Sequence, residues 1–255
     1  LVPTLSLGYR IDDKNNLRLN FSTRINRPGI SYLDPTVNQS PTELKYGNPA
    51  LVSARNHSLQ ATYTFIHPKL TLNASAGYSF SNDQITQLIY TDGDTRHETY
   101  GNIGETRGAW FNLYAQWMPG KKTNISLNAS TFYNYYGNDN FDIANSRWGV
   151  SAFARLSQEL PWKLRLSLSG GRNDGGVWDL YTYARHNYFY VIGLQRSFLK
   201  DDRLTVQLFA MNPIGSKYQK WDAIPRYGDY TGREISRYPQ RMFQVAVSFN
   251  FGSLK

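Results

Sequence analysis

The chain contains no cysteine in 255 residues, which excludes disulfide staples and thiolate metal sites. It has no run of about 18 apolar residues, so it offers no transmembrane helix. Its start shows no basic segment followed by an apolar stretch. Without a secretory leader in this sequence, either the protein is cytosolic or the beginning of the chain lies elsewhere. The formal charge is +9, yet the basic residues form neither a run nor a helical stripe, which argues against a nucleic-acid partner. Hydrophobic residues amount to only 40% and the mean hydropathy is -0.53. A disordered chain would also be poor in aromatics, and here 19 Tyr, 13 Phe and 6 Trp exclude that class.

What is present is alternation. Phe243, Val245, Val247, Phe249 and Phe251 alternate with Gln244, Ala246, Ser248 and Asn250, so an extended strand there has one greasy and one small, polar face. The pattern recurs from Leu5 to Ile11, Leu17 to Ile25, Leu59 to Phe65, Leu70 to Phe80, Ala109 to Trp117, Ile125 to Thr131, Trp148 to Leu156, Leu164 to Leu168, Tyr188 to Leu194 and Leu204 to Ala210. This predicts about eleven meandering antiparallel strands and no helix.

The connections are of two kinds in strict turn. DDKNN, HPK, MPGKKT, the segment around Pro161 and LKDDR are short. Between them lie a long loop over 26–56, a hairpin tip at TDGDTRH, YGNDNFDIANSR, GGRNDGGVWDL and a long loop over about 212–233. Short turns on one rim and long loops on the other mark an outer-membrane β-barrel, with the short turns periplasmic. Tyr78, Phe80, Tyr133, Tyr135, Tyr136, Trp148, Tyr181 and Tyr183 near the long loops, and Phe65, Trp117, Trp162, Phe198 and Phe251 near the short turns, predict two aromatic girdles. The polar faces carry Ser, Asn, Thr, Gln and Gly with an occasional Arg, such as Arg18, Arg24, Arg155 and Arg165, where a soluble sheet would set Lys and Glu. The fold expected is therefore all-β, an up-and-down transmembrane barrel portion with lipid on its greasy face. A soluble sandwich or lectin-like sheet is the alternative. Because complete single-chain barrels have an even strand count, an odd count predicts that residues 1–255 are the C-terminal part of a larger barrel.

Five stretches carry a resemblance. FSTRINRPGISYLDP, followed by KYGNPAL and HSLQATYTF, and the segment ETYGNIGETRGAWFNL, resemble the C-terminal barrel region of TonB-dependent receptors and the outer-membrane barrel family related to them. The end, QVAVSFNF, is similar to the barrel-assembly signal of outer-membrane proteins, carried here by Gln244, Ala246, Phe249 and Phe251, with Ala in place of the usual Gly and a GSLK tail beyond. The resemblance covers nearly the whole chain. It implies a 22-stranded barrel with a plugged lumen, of which these strands are the last half, with a plug and a TonB-contacting segment upstream. It further implies outer-membrane lipid, the barrel-assembly machinery and the TonB complex as partners, the Gram-negative outer membrane as location, and uptake of a scarce solute. Iron chelates, cobalamin-like cofactors, glycans and peptides all remain open as that solute. A passive porin or surface-binding barrel, and a barrel hydrolase, are the alternatives.

No catalytic, cofactor or metal residues are assigned. Strand pairing would bring Asp92, Asp94 and His97 near one another at a hairpin tip, which reads as solvated loop rather than acid-base machinery. The DGD there is too short for a calcium loop. SGGRNDGG lacks the Lys-Ser/Thr ending and the helix of a phosphate cradle. The candidate ligand-binding residues are loop aromatics and arginines: Tyr32, Tyr46, Trp178, Tyr218, Trp221, Arg226, Tyr227, Tyr230 and Arg233. Aromatic faces stack on sugars or planar ligands, and arginines grip carboxylates or phosphates. Loops that pack their own aromatics would show the same composition.

Overall fold

The computed structural model describes residues 2–138, 143–174, 176–177, 182–184, 187–227 and 230–251. In chain order the strands are β1 (Thr4–Arg10), β2 (Asn15–Asn26), β3 (Asn38–Ser40), β4 (Glu43–Lys45), β5 (Ala54–His67), β6 (Leu70–Asp92), β7 (Thr95–Gly120), β8 (Thr123–Asn138) and β9 (Ile143–Leu160). They continue as β10 (Leu164–Asn173), β11 (Gly176–Val177), β12 (Thr182–Ala184), β13 (Asn187–Phe198), β14 (Leu204–Met211), β15 (Tyr218–Tyr227), β16 (Tyr230–Thr231), β17 (Glu234–Pro239) and β18 (Met242–Phe249). A single helical turn, α1 (Ile30–Leu33), interrupts the first long loop.

The wall is one hydrogen-bonded path, β1-β2-β5-β6-β7-β8-β9-β10-β13-β14-β18, antiparallel throughout. These are the eleven strands of the alternation. β1 and β18 stand at opposite ends of the path, and among the described residues they do not pair with each other.

Register decides what each face is. Leu7 lies opposite Leu19, Leu19 opposite Ala61 and Ala61 opposite Ala76, then Phe111, Thr131 and Val150 continue the row. At the other end Leu208 faces Val245 and Val206 faces Val247. This face is predominantly apolar from edge to edge, with Thr131, Arg107 and Arg196 among its exceptions, and it is bare: Leu7 is 56% exposed, Phe243 68% and Val247 65%. The buried hydrophobic side chains among the described residues are Leu51, Ala54, Ile89, Ala223 and Ile224, none of which belongs to this band. A sheet that leaves its apolar face unburied over its whole width has no soluble solution. A bilayer removes that face from water, at roughly 25 cal/mol for each Å². The two largest depressions described, of about 430 and 560 Å³, both lie on the polar face, so the sheet is concave toward its polar side. Lipid therefore meets the convex side and a wetted lumen the concave one.

From Leu70 to Phe80 the lipid-facing band of β6 runs for about 34 Å of strand, or about 25 Å of height once tilted by about 45°. The outer girdle holds Tyr78, Phe80, Tyr133, Tyr135 and Trp148 on the lipid face. Tyr136 does not join it: it sits opposite Thr106, one residue out of phase with Tyr135, and stands on the lumen side. Tyr181 lies outside the described residues, as does the Tyr183 side chain. On the inner rim Phe65, Trp117, Phe198 and Phe249 share the lipid face. Arg196 lies 4.9 Å over the Phe198 ring, the geometry of a basic stem reaching along the lipid face to the interface.

On the lumen side isolated glycines stand beside aromatic rings. A Cβ at Gly77 would overlap the Trp110 ring, and one at Gly149 the Phe132 ring. Each ring fills the space a side chain on the neighbouring strand would take, because that strand offers only hydrogen there. Gly149→Val is expected to lift Phe132 off the wall and cost about 1–3 kcal/mol. Thermal unfolding in detergent measures this, and Phe132→Ala in the same chain should recover part of the loss.

Candidate functional site

β6 and β7 are 23 and 26 residues long, roughly 75–85 Å of strand, so about half of each stands beyond the bilayer. β8 last pairs with β7 at Gly137 opposite Glu105, which leaves the outer part of β7 with an open edge. The first long loop closes it. β4 pairs parallel to β7, Glu43 to Lys45 beside Arg96 to Glu98, and β3 pairs with β4. This covers a strand edge that would otherwise invite pairing with another chain.

The motifs GNPAL and GNIG hold this loop down on one another. Asn102 Oδ1 accepts from Val52 N at 2.8 Å, and its amide donates to the carbonyls of Val52 at 2.8 Å and Asp83 at 3.0 Å. Asn48 Nδ2 donates to the Tyr100 carbonyl at 2.9 Å, while the backbone N–H groups of Gly47 and Asn48 donate to the carbonyls of Asp34 and Tyr32. A bulge between Ser81 and Gln84 turns Asp83 toward the loop, where its carboxylate accepts from Arg55 N. Glu43, Lys45, Arg96 and Glu98 add an ion-pair cluster of zero net charge. These groups are partly exposed, so the cluster is salt-sensitive and contributes less than the amide contacts.

The candidate residues fall into two groups. Tyr32 stacks on Tyr100 with ring centroids 4.2 Å apart. The Tyr46 hydroxyl shares a 2.8 Å hydrogen bond with that of Tyr90 and lies 3.4 Å from His97 Nδ1. His97 stacks on Tyr90 at 4.8 Å, so tyrosines engage it rather than Asp92 or Asp94. The hydrogen bond to Tyr90, then burial, push the Tyr46 phenol up from 10.0 to about 12. Burial first, then the nearby Tyr32 and Glu98, raise Tyr100 as well. A raised phenol value means that the docked loop binds the protonated form. The stabilisation is fully present below pH 10 and is lost as the pH rises from 10 towards 12. Cleavage of the 27–53 loop by an alkaline-tolerant protease should accelerate across that window and change less in Tyr46→Phe.

The second group gathers where two long loops pair with each other. β12 pairs with β15, β15 with β16 and β15 with β17, forming a separate small sheet with β11. Its backbone sets Arg226 and Tyr227 of β15 against Thr231 and Tyr230 of β16, with Arg233 just beyond, while Tyr218 and Trp221, further along β15, lie opposite Pro239 and Ser236 of β17. Tyr218 is 56% exposed. Trp178 lies outside the described residues, as do the side chains of Trp221, Arg226, Tyr227 and Tyr230. On β18, Gln244 and Ala246 stand opposite Phe209 and Gln207 on the lumen side, and Phe249 packs on Phe251 at 4.6 Å between centroids.

The residues that fasten the first loop, Asn48, Tyr100 and Asn102, were not among the candidates. Their signal was the GNPAL and GNIG motifs themselves, which pair across some fifty positions of chain. The lumen rings over glycine had a signal too, since a lone Gly inside a strand pattern marks a close approach.

In structure, the chain is similar to the siderophore receptor PirA of Pseudomonas aeruginosa, with a TM-score of 0.70, 10% identity, and 98% of this chain matched against 42% of that one. The FrpB iron transporter of Neisseria meningitidis gives 0.68 at 10% identity, covering 98% of this chain and 39% of its own. The outer membrane transporter YddB of Escherichia coli gives 0.59 at 12%, covering 96% and 40%. The chain thus spans about two-fifths of the length of these structures, and no curated protein matches it in sequence. Residues 1–251 match the outer membrane protein beta-barrel family, and with its bare apolar face, wetted concave side and sorted loops the chain belongs to that family and to the outer membrane.

Proposed function

We propose that this chain is the C-terminal part of the wall of an energised outer-membrane transporter, which captures a scarce solute on its outer loops and passes it inward past a plug. The observation that carries this reading is the open wall. Eleven strands end in two edges, β1 and β18, that among the described residues do not pair with each other, and the same wall superposes over nearly its full length on about two-fifths of a siderophore receptor and an iron transporter. In this reading the free edges pair with further strands of the same protein, as the cost of unpaired backbone in lipid requires. The plug and the TonB-contacting segment belong to the same missing part, and β18 carries the signal read by the assembly machinery. The gathered aromatics and arginines of 218–233 form the outer capture surface. The wall itself performs no covalent chemistry.

The test is the conductance of the full-length protein in a planar bilayer. A plugged transporter stays closed to small ions. A steady, large open-pore conductance would replace this reading with that of a passive porin.

A further inference from the structure

Lysine is concentrated on the inner rim. Each of the five tight turns carries it, as Lys14, Lys69, Lys121 with Lys122, Lys163 and Lys200, whereas the first 200 residues hold one lysine elsewhere, Lys45. Some of these charges are offset within the protein. Asp12 and Asp13 precede Lys14, Asp201 follows Lys200, and Lys163 Nζ lies 2.6 Å from Asp202. Two neighbouring turns differ from the rest. HPK over 67–69 and MPGKKT over 118–123 contain no acidic residue, and among the described residues Lys69, Lys121 and Lys122 are exposed and in no ion pair.

The backbone sets these two turns side by side under the lipid-facing band. Met118 N donates to the Lys69 carbonyl and Glu159 N to that of Lys122, at 2.8 Å each. Glu159 itself turns its carboxylate to Arg165, at 2.7 Å. Trp117, 49% exposed, lies on the lipid face between Leu70 and Ile125, and Phe65 lies on the same face opposite Leu72. Cations thus follow directly on the inner girdle. Both turns join strands in the middle of the path, so the further strands that the free edges of β1 and β18 call for do not cover them. The face they adjoin is also the one turned away from a plug. A cation on the lipid face itself repeats the signal. Arg196 stands between Leu164 and Val206, 4.9 Å over the Phe198 ring, and among the described residues no carboxylate pairs with it. A guanidinium in that place calls for an anion from outside the protein.

What lies against this rim from outside the protein is the inner leaflet. An ammonium group is a point charge on a flexible stem, which follows a mobile headgroup and lays its methylenes along apolar surface. The carboxylates of a protein partner are gripped better by the planar fork of arginine, and neither turn contains one. Anionic headgroups attract each such cation within a Debye length. We propose that the turns over 67–69 and 118–123 bind anionic phospholipid, with its phosphate among Lys69, Lys121 and Lys122 and its acyl chains beside Trp117 and Phe65. The proposal goes beyond the transport reading and holds whatever solute the wall serves.

The experiment places a fluorophore on the full-length protein at Ile125→Cys, on the lipid face beside Trp117, in phosphatidylethanolamine vesicles. A nitroxide lipid is then added as the quencher, either phosphatidylglycerol or phosphatidylcholine, with the nitroxide high on the acyl chain in both. Half-quenching should need about fivefold less of the phosphatidylglycerol, the effect of one lysine at an anionic surface. The preference should vanish in the triple variant Lys69→Gln/Lys121→Gln/Lys122→Gln, and also at about 1 M salt, where the Debye length falls to about 3 Å. It should persist in Lys69→Arg/Lys121→Arg/Lys122→Arg, which keeps the charges. Equal amounts of heat-modifiable barrel show that the variants are folded. A preference that survives the glutamine variant overturns the proposal. Equal quenching by the two lipids in the parent overturns it too, and would leave these lysines to an acidic periplasmic protein.

Discussion

Leu113→Arg destabilises the barrel by about 2–4 kcal/mol, the cost of a cation near the middle of the lipid face, whereas Asn112→Arg, one residue away, stays within about 0.5 kcal/mol. The contrast follows from register. Leu113 lies between Ala74 and Ala129 on the bare apolar face, while Asn112 lies between Ser75 and Ser130 on the concave polar one. Neither side chain is buried in protein, so a soluble sheet would tolerate both substitutions alike. Unfolding of the full-length protein in urea, in the presence of lipid vesicles, measures the difference. Equal costs at the two positions would remove the assignment of faces.

The second large effect is at Asn102. One side chain there satisfies both backbone groups of Val52 and the carbonyl of Asp83, so it ties the first loop to the bulge of β6 in a single step. Asn102→Leu removes all three bonds and is expected to loosen the loop by about 2 kcal/mol. That is enough to raise protease cleavage within 27–53 on intact cells by more than about tenfold. Arg96→Gln touches the ion-pair cluster in the same loop and should cost less than about 1 kcal/mol, because those charges are partly solvated. The ranking matters more than either value. If the arginine proves the larger, charge rather than amide pairing holds the loop.

The wall was legible in the sequence because a strand in contact with two solvents repeats every second residue. Leu5 to Ile11 and Phe243 to Phe249 declare their faces without help from any distant residue. Turn lengths then gave the order of the strands, since tight turns force neighbours to be antiparallel. Tyr136 was misplaced because four aromatics in five positions, Phe132, Tyr133, Tyr135 and Tyr136, blur the alternation that identifies the face. The small sheet built on β15 was invisible for a related reason. YQKWDAIPRY has no clean period and contains a proline, which argues against a strand interior, and its pairing with β12 joins loops about forty residues apart. The fastening of the first loop is likewise a long-range match of amides to backbone, which no local pattern encodes. The aromatic residues put forward as ligand candidates illustrate the same limit. Tyr32 and Tyr46 are engaged with Tyr100 and Tyr90, whereas the rings on the lumen side, Trp110, Phe132 and Phe153, sit within strands whose composition looked purely structural.

The account stands on which side of the wall meets lipid. Because the chain has no native cysteine, single cysteines can be introduced one at a time along β7 and β8, from Phe111 to Tyr114 and from Leu127 to Ser130. Each is then treated in outer membranes with a water-soluble maleimide and, after labelling with a small fluorophore, with a lipid-dissolved nitroxide quencher. The account predicts strict alternation: 111, 113, 127 and 129 refractory to the maleimide and quenched from lipid, with 112, 114, 128 and 130 unquenched from lipid and labelled wherever the lumen admits the reagent. Quenching from lipid at Asn112 and Asn128, or at neither set, would contradict it.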